Sequence, residues 1–292
     1  MPGTVSAGES IERLRPRLVG LAYRMLGSAT EAEDIVQDVA LRFLGVNPEE
    51  VRAPEQYLTA MTARACIDHL RSARRRREVY VGPWLPEPVR GGSFDPGEGI
   101  ERAETVSTAF LVLLQALSPL ERAAFLLRSV FEYDYGEIAA TLGRSEAACR
   151  QLVSRAQAHV KQRRQRFSAS AAANRRLTER FLDAARSGDV ASLVRMLADD
   201  ATMWADGGGK VAAAARPVHG AERVARYLIG VLEKMPSPLD ARIEDVNGAP
   251  GIVLYRRGRP DSAISLAMRG RRVAAVFNQR NPEKLRRLAE AR

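Results

Sequence analysis

Residues 134–161 constrain the fold more than any other stretch. Asp134 can cap a helix, and Glu137, three residues on, can reach back to the cap amide. Gly143 permits the left-handed backbone that ends a helix in a tight turn. Ser145 then caps a second helix, with Glu146 near its positive end. On that helix Cys149, Leu152, Val153, Ala156 and Val160 form an apolar stripe, while Arg150, Gln151, Ser154 and Arg155 form another. Arg and Gln suit base edges and Ser suits phosphates, so a helix-turn-helix presenting its second helix to DNA is expected. An ordinary pair of surface helices would follow the same local grammar.

The charge distribution bears on that expectation. The formal net charge is +10, which suits a polyanionic partner. Residues 1–170 carry 23 Lys and Arg against 21 Asp and Glu, whereas residues 171–292 carry 22 against 14. Basic residues in the first part must therefore act through clustering. The excess in the second part reads as a solvated surface. The two cysteines, Cys66 and Cys149, have no partner at metal-ligand spacing, so no metal site and no cofactor are expected. There is no apolar run near the ~18 residues of a membrane span and no charged start followed by an apolar stretch. A reduced, cytoplasmic chain with no membrane association is the expectation.

Residues 10–78 are helical in pattern and rich in Arg. Residues 79–100 break that pattern with Gly82, Pro83, Pro86, Pro88, Gly91, Gly92, Pro96, Gly97 and Gly99, a linker or functional loop. Helical pattern returns at about 101–167, where Ser118, Pro119 and Glu121 combine a capping box with an N1 proline. Ser168–Ala173 is small and polar, suiting a short linker. Beyond it come helices near 175–187 and 190–198 and a strand around Thr202–Ala205. The loop Asp206-Gly207-Gly208-Gly209-Lys210 follows, then a helix near 220–233. Ile264, Leu266 and Met268 alternate, as do Val273, Ala275 and Phe277, with Asn247-Gly248 and Arg269-Gly270 as turns. Helices followed by a run of antiparallel strands indicate a separate α+β domain.

Two faces in the first part carry chemistry. Ser28 and Glu31 cap a helix that buries Ala32, Ile35, Val36, Val39 and Phe43, leaving Asp34, Gln37 and Asp38 together on the other side. DNA would repel that patch, so a protein partner is expected unless it is only a solvated face. On the next helix, starting near Pro54, Arg64, Asp68, Arg71 and Arg75 form one stripe, and Arg74, Arg76 and Arg77 extend the positive run. Arg64 and Asp68 could be a surface ion pair, worth only ~0.3–0.5 kcal/mol. Five arginines between 71 and 77 read as phosphate contacts with salt-sensitive affinity.

These residues resemble the extracytoplasmic-function (ECF) group of bacterial sigma factors. Glu33-Asp34-Ile35-Val36-Gln37-Asp38 is similar to the region 2.2 signature. The resemblance implies that Asp34, Gln37 and Asp38 bind the β′ clamp helices of RNA polymerase. It implies that the helix carrying Arg64, Asp68, Arg71, Arg74 and Arg75 opens and reads the −10 element of promoter DNA. The helix-turn-helix of region 4, which the family also places against the β flap, would read the −35 element through Arg150, Gln151, Ser154 and Arg155. One departure is Arg64, where many ECF members carry Asn, and it bears on base preference. A narrower resemblance rests on Trp84-Leu85-Pro86-Glu87-Pro88, Asp206-Gly207-Gly208-Gly209-Lys210 and Asn281-Pro282-Glu283-Lys284-Leu285. Together these are similar to three motifs of an ECF subgroup with a fused SnoaL-like C-terminal domain, which implies that this extension governs activity in cis.

The expected chain is multidomain: two all-α domains plus a C-terminal α+β SnoaL-like cone. Sigma region 2 would span 8–78, the linker 79–104, region 4 105–167, a short linker 168–174, and the SnoaL-like domain 175–292. Trp84, between Pro83 and Pro86 on a stiff segment with little core of its own, should dock on a partner surface, stabilising it by ~2–3 kcal/mol. Local packing on region 2 or 4 is the alternative. Trp84, Leu85 and Pro86 would meet Asp206–Lys210 or Asn281, Pro282, Lys284 and Leu285. The triple glycine allows close backbone approach or a flexible loop. An isomerase or cyclase reading would use Asp206 and His219, with Met203, Trp204 and Phe277 lining a pocket. An acid beside three glycines is expected in a mobile, wet loop, a poor setting for a tuned base. No catalytic activity is expected, while an unidentified small ligand of the C-terminal domain remains an expected partner. A plain repressor would leave the arginine stripe and the Trp84 segment unexplained.

Overall fold

The computed structural model describes residues 7–47, 51, 53–77, 80–90, 106–164, 171–235 and 239–290, without the side chains of 73–77, 163–164, 171–173 and 290. Gly91, Gly92, Pro96, Gly97 and Gly99 lie outside the described residues. Two compact units are present. One holds Met1–Glu78, Phe94–Val106 and Leu113–Lys161; the other holds Val79–Ser93, Ser107–Val112 and Gln162–Arg292. The Trp84 segment thus belongs to the same unit as the C-terminal domain.

The first unit is helical. Helix α1 (Ala7–Leu26) packs against α2 (Ala29–Leu44) and α3 (Pro54–Arg77). Ser28 caps α2 by accepting from the Glu31 amide, and Ala32, Val36, Val39 and Phe43 are buried as the stripe requires. Helix α4 (Thr108–Leu114) belongs to the second unit through Val112, and in the first unit α5 (Pro119–Ser129) carries the full Ser118–Glu121 capping box. The helix-turn-helix is α6 (Tyr135–Leu142) and α7 (Glu146–Arg164). Asp134 and Glu137 cap α6 reciprocally, and Gly143 takes φ 62° at its end. Adding a Cβ at that left-handed position would cost about 1 kcal/mol. Cys149, Val153, Ala156 and Val160 are buried beneath α7.

Within this unit α5 packs on α1 and α3, α6 packs on α3, and polar contacts join them. The buried Arg122 of α5 donates to the Met25 carbonyl at the end of α1. Tyr133 donates its hydroxyl to Thr59 of α3 at 3.0 Å. Arg17 is paired with Glu55 at 3.2 Å and donates to the Phe131 carbonyl at 3.4 Å.

The second unit opens with α8 (Ala171–Arg186). Residues 171–173, expected in a linker, are already helical. Three consecutive alanines have the highest helix propensity, which outweighs the small, polar character that suited a linker. Helices α9 (Val190–Met196) and α10 (Ala221–Glu233) pack with α8 on a six-stranded sheet of order β2-β1-β6-β5-β4-β3. Its strands are β1 (Leu197–Asp206), β2 (Val218–His219), β3 (Leu239–Val246), β4 (Ala249–Arg256), β5 (Arg259–Arg269) and β6 (Arg272–Gln279); α11 (Arg286–Glu290) follows. Asn247-Gly248 takes φ 57° and 70°, the backbone of a tight hairpin turn. The sheet is mixed rather than wholly antiparallel, because β1 pairs with β6 in parallel. That pairing joins strands far apart in sequence, which alternation within each strand cannot announce.

Both faces of the sheet are covered. The inner face joins Met203, Ile252, Leu254, Ile264 and Val276 to α8–α10. The outer face is closed in two patches, one containing Ala267, Ala275, Phe277 and the linker's Leu85, the other Val253, Tyr255, Ala263, Leu285 and Leu288. Leu85 is fully enclosed, which is worth about 2 kcal/mol of transfer free energy. The C-terminal α+β domain is therefore completed by a strap of chain that precedes α4.

Candidate functional site

Three surfaces of the first unit carry the expected residues. On α2, Asp34, Gln37 and Asp38 are all exposed. Leu41 (62% exposed) and Leu44 (56% exposed) continue that face, so the acidic patch runs into an apolar one. Their spacing of three and four from Gln37, Asp38 and Leu41 was the available signal. On α3, Arg64, Asp68 and Arg71 are exposed, with Arg71 paired to Asp68 at 3.2 Å rather than Arg64. The side chains of Arg74 and Arg75 lie outside the described residues. On α7, Arg150, Gln151, Ser154 and Arg155 share the exposed face. Arg150 is paired with Glu146 at 3.1 Å and lies 4.2 Å over the Tyr135 ring; Arg155 is paired with Glu121 at 3.0 Å.

Arg64 has a role that the sequence pattern does not contain. Its Nε donates to the Thr141 carbonyl at 2.8 Å and its Nη2 to Ala140 at 2.9 Å, satisfying open carbonyls at the C-terminus of α6. Gln56 of α3 likewise donates to Glu137 at 2.8 Å.

The second unit holds a denser constellation. Asp206 ends β1 with its side chain completely buried (0% exposed). Its Oδ1 accepts from the Tyr80 hydroxyl at 2.6 Å and the Gly208 amide at 3.0 Å. Its Oδ2 accepts from the Leu85 amide at 2.8 Å, from Lys284 Nζ at 2.7 Å and from Gln279 Nε2 at 3.2 Å. A buried carboxylate is tolerated because a cation and several N–H or O–H donors replace its water. Burial, and then the hydrogen bond to Asp206, push the Tyr80 hydroxyl well above its ordinary pKa, so it remains a donor.

Lys284 also donates to the Leu85 carbonyl at 2.7 Å, and its ammonium stands 4.0 Å from the Trp84 ring centroid and 5.0 Å from that of Tyr80. Gln279 donates to the Leu85 and Pro86 carbonyls, both at 3.2 Å. Farther along, the Val89 amide donates to Asn247 Oδ1 at 3.1 Å and the Val89 carbonyl accepts from the Asn247 amide at 2.8 Å. Glu87 is paired with Arg287 at 3.4 Å. Asn281 donates to the Tyr80 hydroxyl at 3.1 Å.

The three glycines allow close approach. Gly208 has φ +60°, and a Cβ there would lie 2.3 Å from Asn281 Nδ2; one on Gly209 would lie 3.2 Å from Val81 Cβ of the linker. Lys210 is paired with Glu283, so its side chain joins the two C-terminal motifs to each other. Pro282 is exposed and Leu285 is buried with Leu288, not with Trp84. Tyr80, Gln279 and Asn247 were missed in the sequence; Tyr80 had the same signal as Trp84, an aromatic side chain on a proline-bound segment.

The enzyme-like alternative meets three corrections. Asp206 is not in a wet loop: the linker covers it. Met203 faces the inner core, but Trp204 and Phe277 face the opposite side, stacked with centroids 5.3 Å apart beside Leu85, because adjacent strand residues alternate faces. His219 is exposed on β2 and 3.2 Å from Thr202 Oγ1. Asp206 and His219 therefore share no pocket with all three of those side chains. Among the described residues there is no cluster fit for a metal ion, and no helix is long and apolar enough to cross a membrane.

Known proteins resemble this arrangement. Residues 10–76 match the family model for sigma-70 region 2, and residues 107–160 match that for sigma-70 region 4. The ECF RNA polymerase sigma factor SigJ of Mycobacterium tuberculosis is 37% identical over 287 residues, covering 94% of this chain and 91% of that protein. The probable ECF sigma factor SigI of the same species is 34% identical over 185 residues, covering 63% of this chain and 64% of that protein. The crystal structure of M. tuberculosis SigJ superposes with a TM-score of 0.74 at 32% identity, covering 94% of this chain and 96% of that one. The chain belongs to the ECF RNA polymerase sigma factors. As such it directs promoter-specific initiation, with the polymerase core and promoter DNA as its partners.

Proposed function

We propose that this sigma factor is regulated in cis by its SnoaL-like domain through the clasp on residues 80–90. The single observation that carries the reading is the buried Asp206 carboxylate, whose partners Tyr80 and the Leu85 amide come from the linker and whose counter-ion Lys284 comes from the C-terminal motif. Docking fixes residues 80–90 of the chain between regions 2 and 4, and so restricts the separations the two promoter-reading segments can reach. A small ligand or a polymerase contact would shift this balance only by binding docked and undocked forms unequally. The domain is read as regulatory rather than catalytic, because both Asp206 oxygens are occupied by structural donors.

In the same reading Asp34, Gln37 and Asp38 contact the β′ clamp helices, and region 4 rests on the β flap. Arg71, Arg74 and Arg75 meet phosphates near the −10 element, with Arg64 and Asp68 on the same helix. Arg150, Gln151, Ser154 and Arg155 read the −35 element. Arg64 must leave the α6 carbonyls to reach DNA, so promoter engagement by α3 requires that edge of the first unit to open. Arg150→Ala should cost ~1–3 kcal/mol at one −35 position and relax specificity there. Unchanged selection among −35 variants would remove Arg150 from the reading set.

The clasp is tested by a double-mutant cycle of Trp84→Ala and Lys284→Met in the full chain. Amide hydrogen exchange of Leu85 and Val89 reports linker release directly. A partly desolvated ammonium over an indole should give a coupling of ~1–2 kcal/mol. Each single variant should shift transcription from a cognate promoter in the same direction. Additive exchange energies would show that the linker and the C-terminal motif are not coupled, and the cis mechanism would be dropped.

A further inference from the structure

We propose that the SnoaL-like domain binds a small amphipathic carboxylate in a groove between the C-terminal half of α10 and the far ends of β4, β5 and β6. This deepens the cis-regulatory reading by giving its ligand a place and a chemistry. The groove has a volume of ≈ 340 Å³, within the range of small-ligand sites. Tyr227, Val231, Met235 and Leu239 form its apolar wall.

The opposite wall is charged. Asp261 is held between two arginines, 2.5 Å from Arg256 and 3.1 Å from Arg280. The three groups carry a net +1, and Lys234 also lines the groove. Among the described residues, Arg256 uses one nitrogen on Asp261 and its remaining donors are uncommitted, with the side chain half exposed. Arg280 donates to the Ala212 carbonyl at 2.6 Å, yet its buried Nε has no hydrogen-bond partner. A cationic wall facing an apolar one suits a ligand with one carboxylate and a hydrocarbon body. The site suits a polyphosphate less, because Asp261 repels it.

A small recess of ≈ 20 Å³ shares Val231 and Met235 with the groove. It is apolar except for Ser262 and Asn278, a buried hydrogen-bonded pair. Arg280 also connects the groove to the clasp. Its amide donates to the Asp206 carbonyl at 2.7 Å, and its two chain neighbours, Gln279 and Asn281, hold Leu85, Pro86 and Tyr80. A ligand drawing on Arg280 therefore acts on the residue between the two that grip the linker.

The test is calorimetric titration of the full chain with octanoate, with octanol and inorganic phosphate as the apolar-only and anion-only probes. Octanoate should bind saturably at one site, and each of the other probes at least about tenfold more weakly. Arg256→Gln, a half-exposed change that leaves Arg280 with Asp261, should weaken octanoate at least about fivefold. No saturable octanoate binding, equal binding of octanol or of phosphate, or full affinity in Arg256→Gln each overturns the proposal. Binding is read without transcription, so failure here is distinct from failure of the clasp.

Discussion

Asp206→Ala should release the linker and produce the largest structural effect of any single substitution in the second unit. The change removes the acceptor for the Tyr80 hydroxyl and for the Leu85 and Gly208 amides. It also leaves Lys284, mostly buried beside Trp84 and the Leu85 carbonyl, without its counter-ion. Breaking a buried pair by deleting one partner typically costs 3–5 kcal/mol, because the remaining charge is uncompensated. Exchange of the Leu85 and Val89 amides should speed up by about two to three orders of magnitude. Strand β1 itself should persist, since its backbone pairing with β6 continues through position 206. Asp206→Asn keeps the shape and some hydrogen bonding but not the charge, and should fall between wild type and alanine. Transcription by Asp206→Ala should move in the same direction as that by Trp84→Ala. Wild-type protection of Leu85 in the alanine variant would mean that the carboxylate does not hold the linker, and the regulatory reading would lose its basis.

What was legible in the sequence follows from distance along the chain. Ser118 with Glu121, Asp134 with Glu137, and Gly143 set helix ends through contacts within one turn, and the amino acids alone announce such devices. Asp34, Gln37 and Asp38 could be placed together because helical spacing alone puts them on one side. Asp206 was misjudged because the groups that bury it are remote: Tyr80 is 126 positions away, Leu85 121 and Lys284 78. Of the two readings of the triple glycine, close approach holds and the wet loop does not, because the missing side chains let Asn281 and Val81 approach. The rival enzyme reading sets Trp204 and Phe277 in one pocket with Met203, and it fails for a related reason. Alternation separates the two faces of a strand, but cannot say which lines the interior when a segment far upstream, here that of Leu85, covers the other. Arg64 illustrates the same limit, since its carbonyl partners lie 76 and 77 positions downstream.

Reversing two charges on α2 should have the largest functional effect. Asp34 and Asp38 are exposed on a helix whose opposite face, with Ala32, Val36 and Val39, is closed in the core. Asp34→Arg with Asp38→Arg should therefore leave the fold intact, because neither carboxylate is buried and surface changes rarely exceed about 0.5 kcal/mol. Binding to the polymerase core should nonetheless fall by about two orders of magnitude. Like charges across an interface cost several kcal/mol, and the encounter loses its electrostatic steering. The wild-type affinity should decline with added salt, while the residual binding of the double variant should not. Leu41 and Leu44 supply a control of different physical character. Leu41→Ala removes apolar contact without changing charge, so it should raise the dissociation rate and leave the salt dependence unaltered. If the double variant binds core with wild-type affinity at low salt, the acidic face of α2 is only a solvated helix surface. The exposed leucines beside it would then need a different partner.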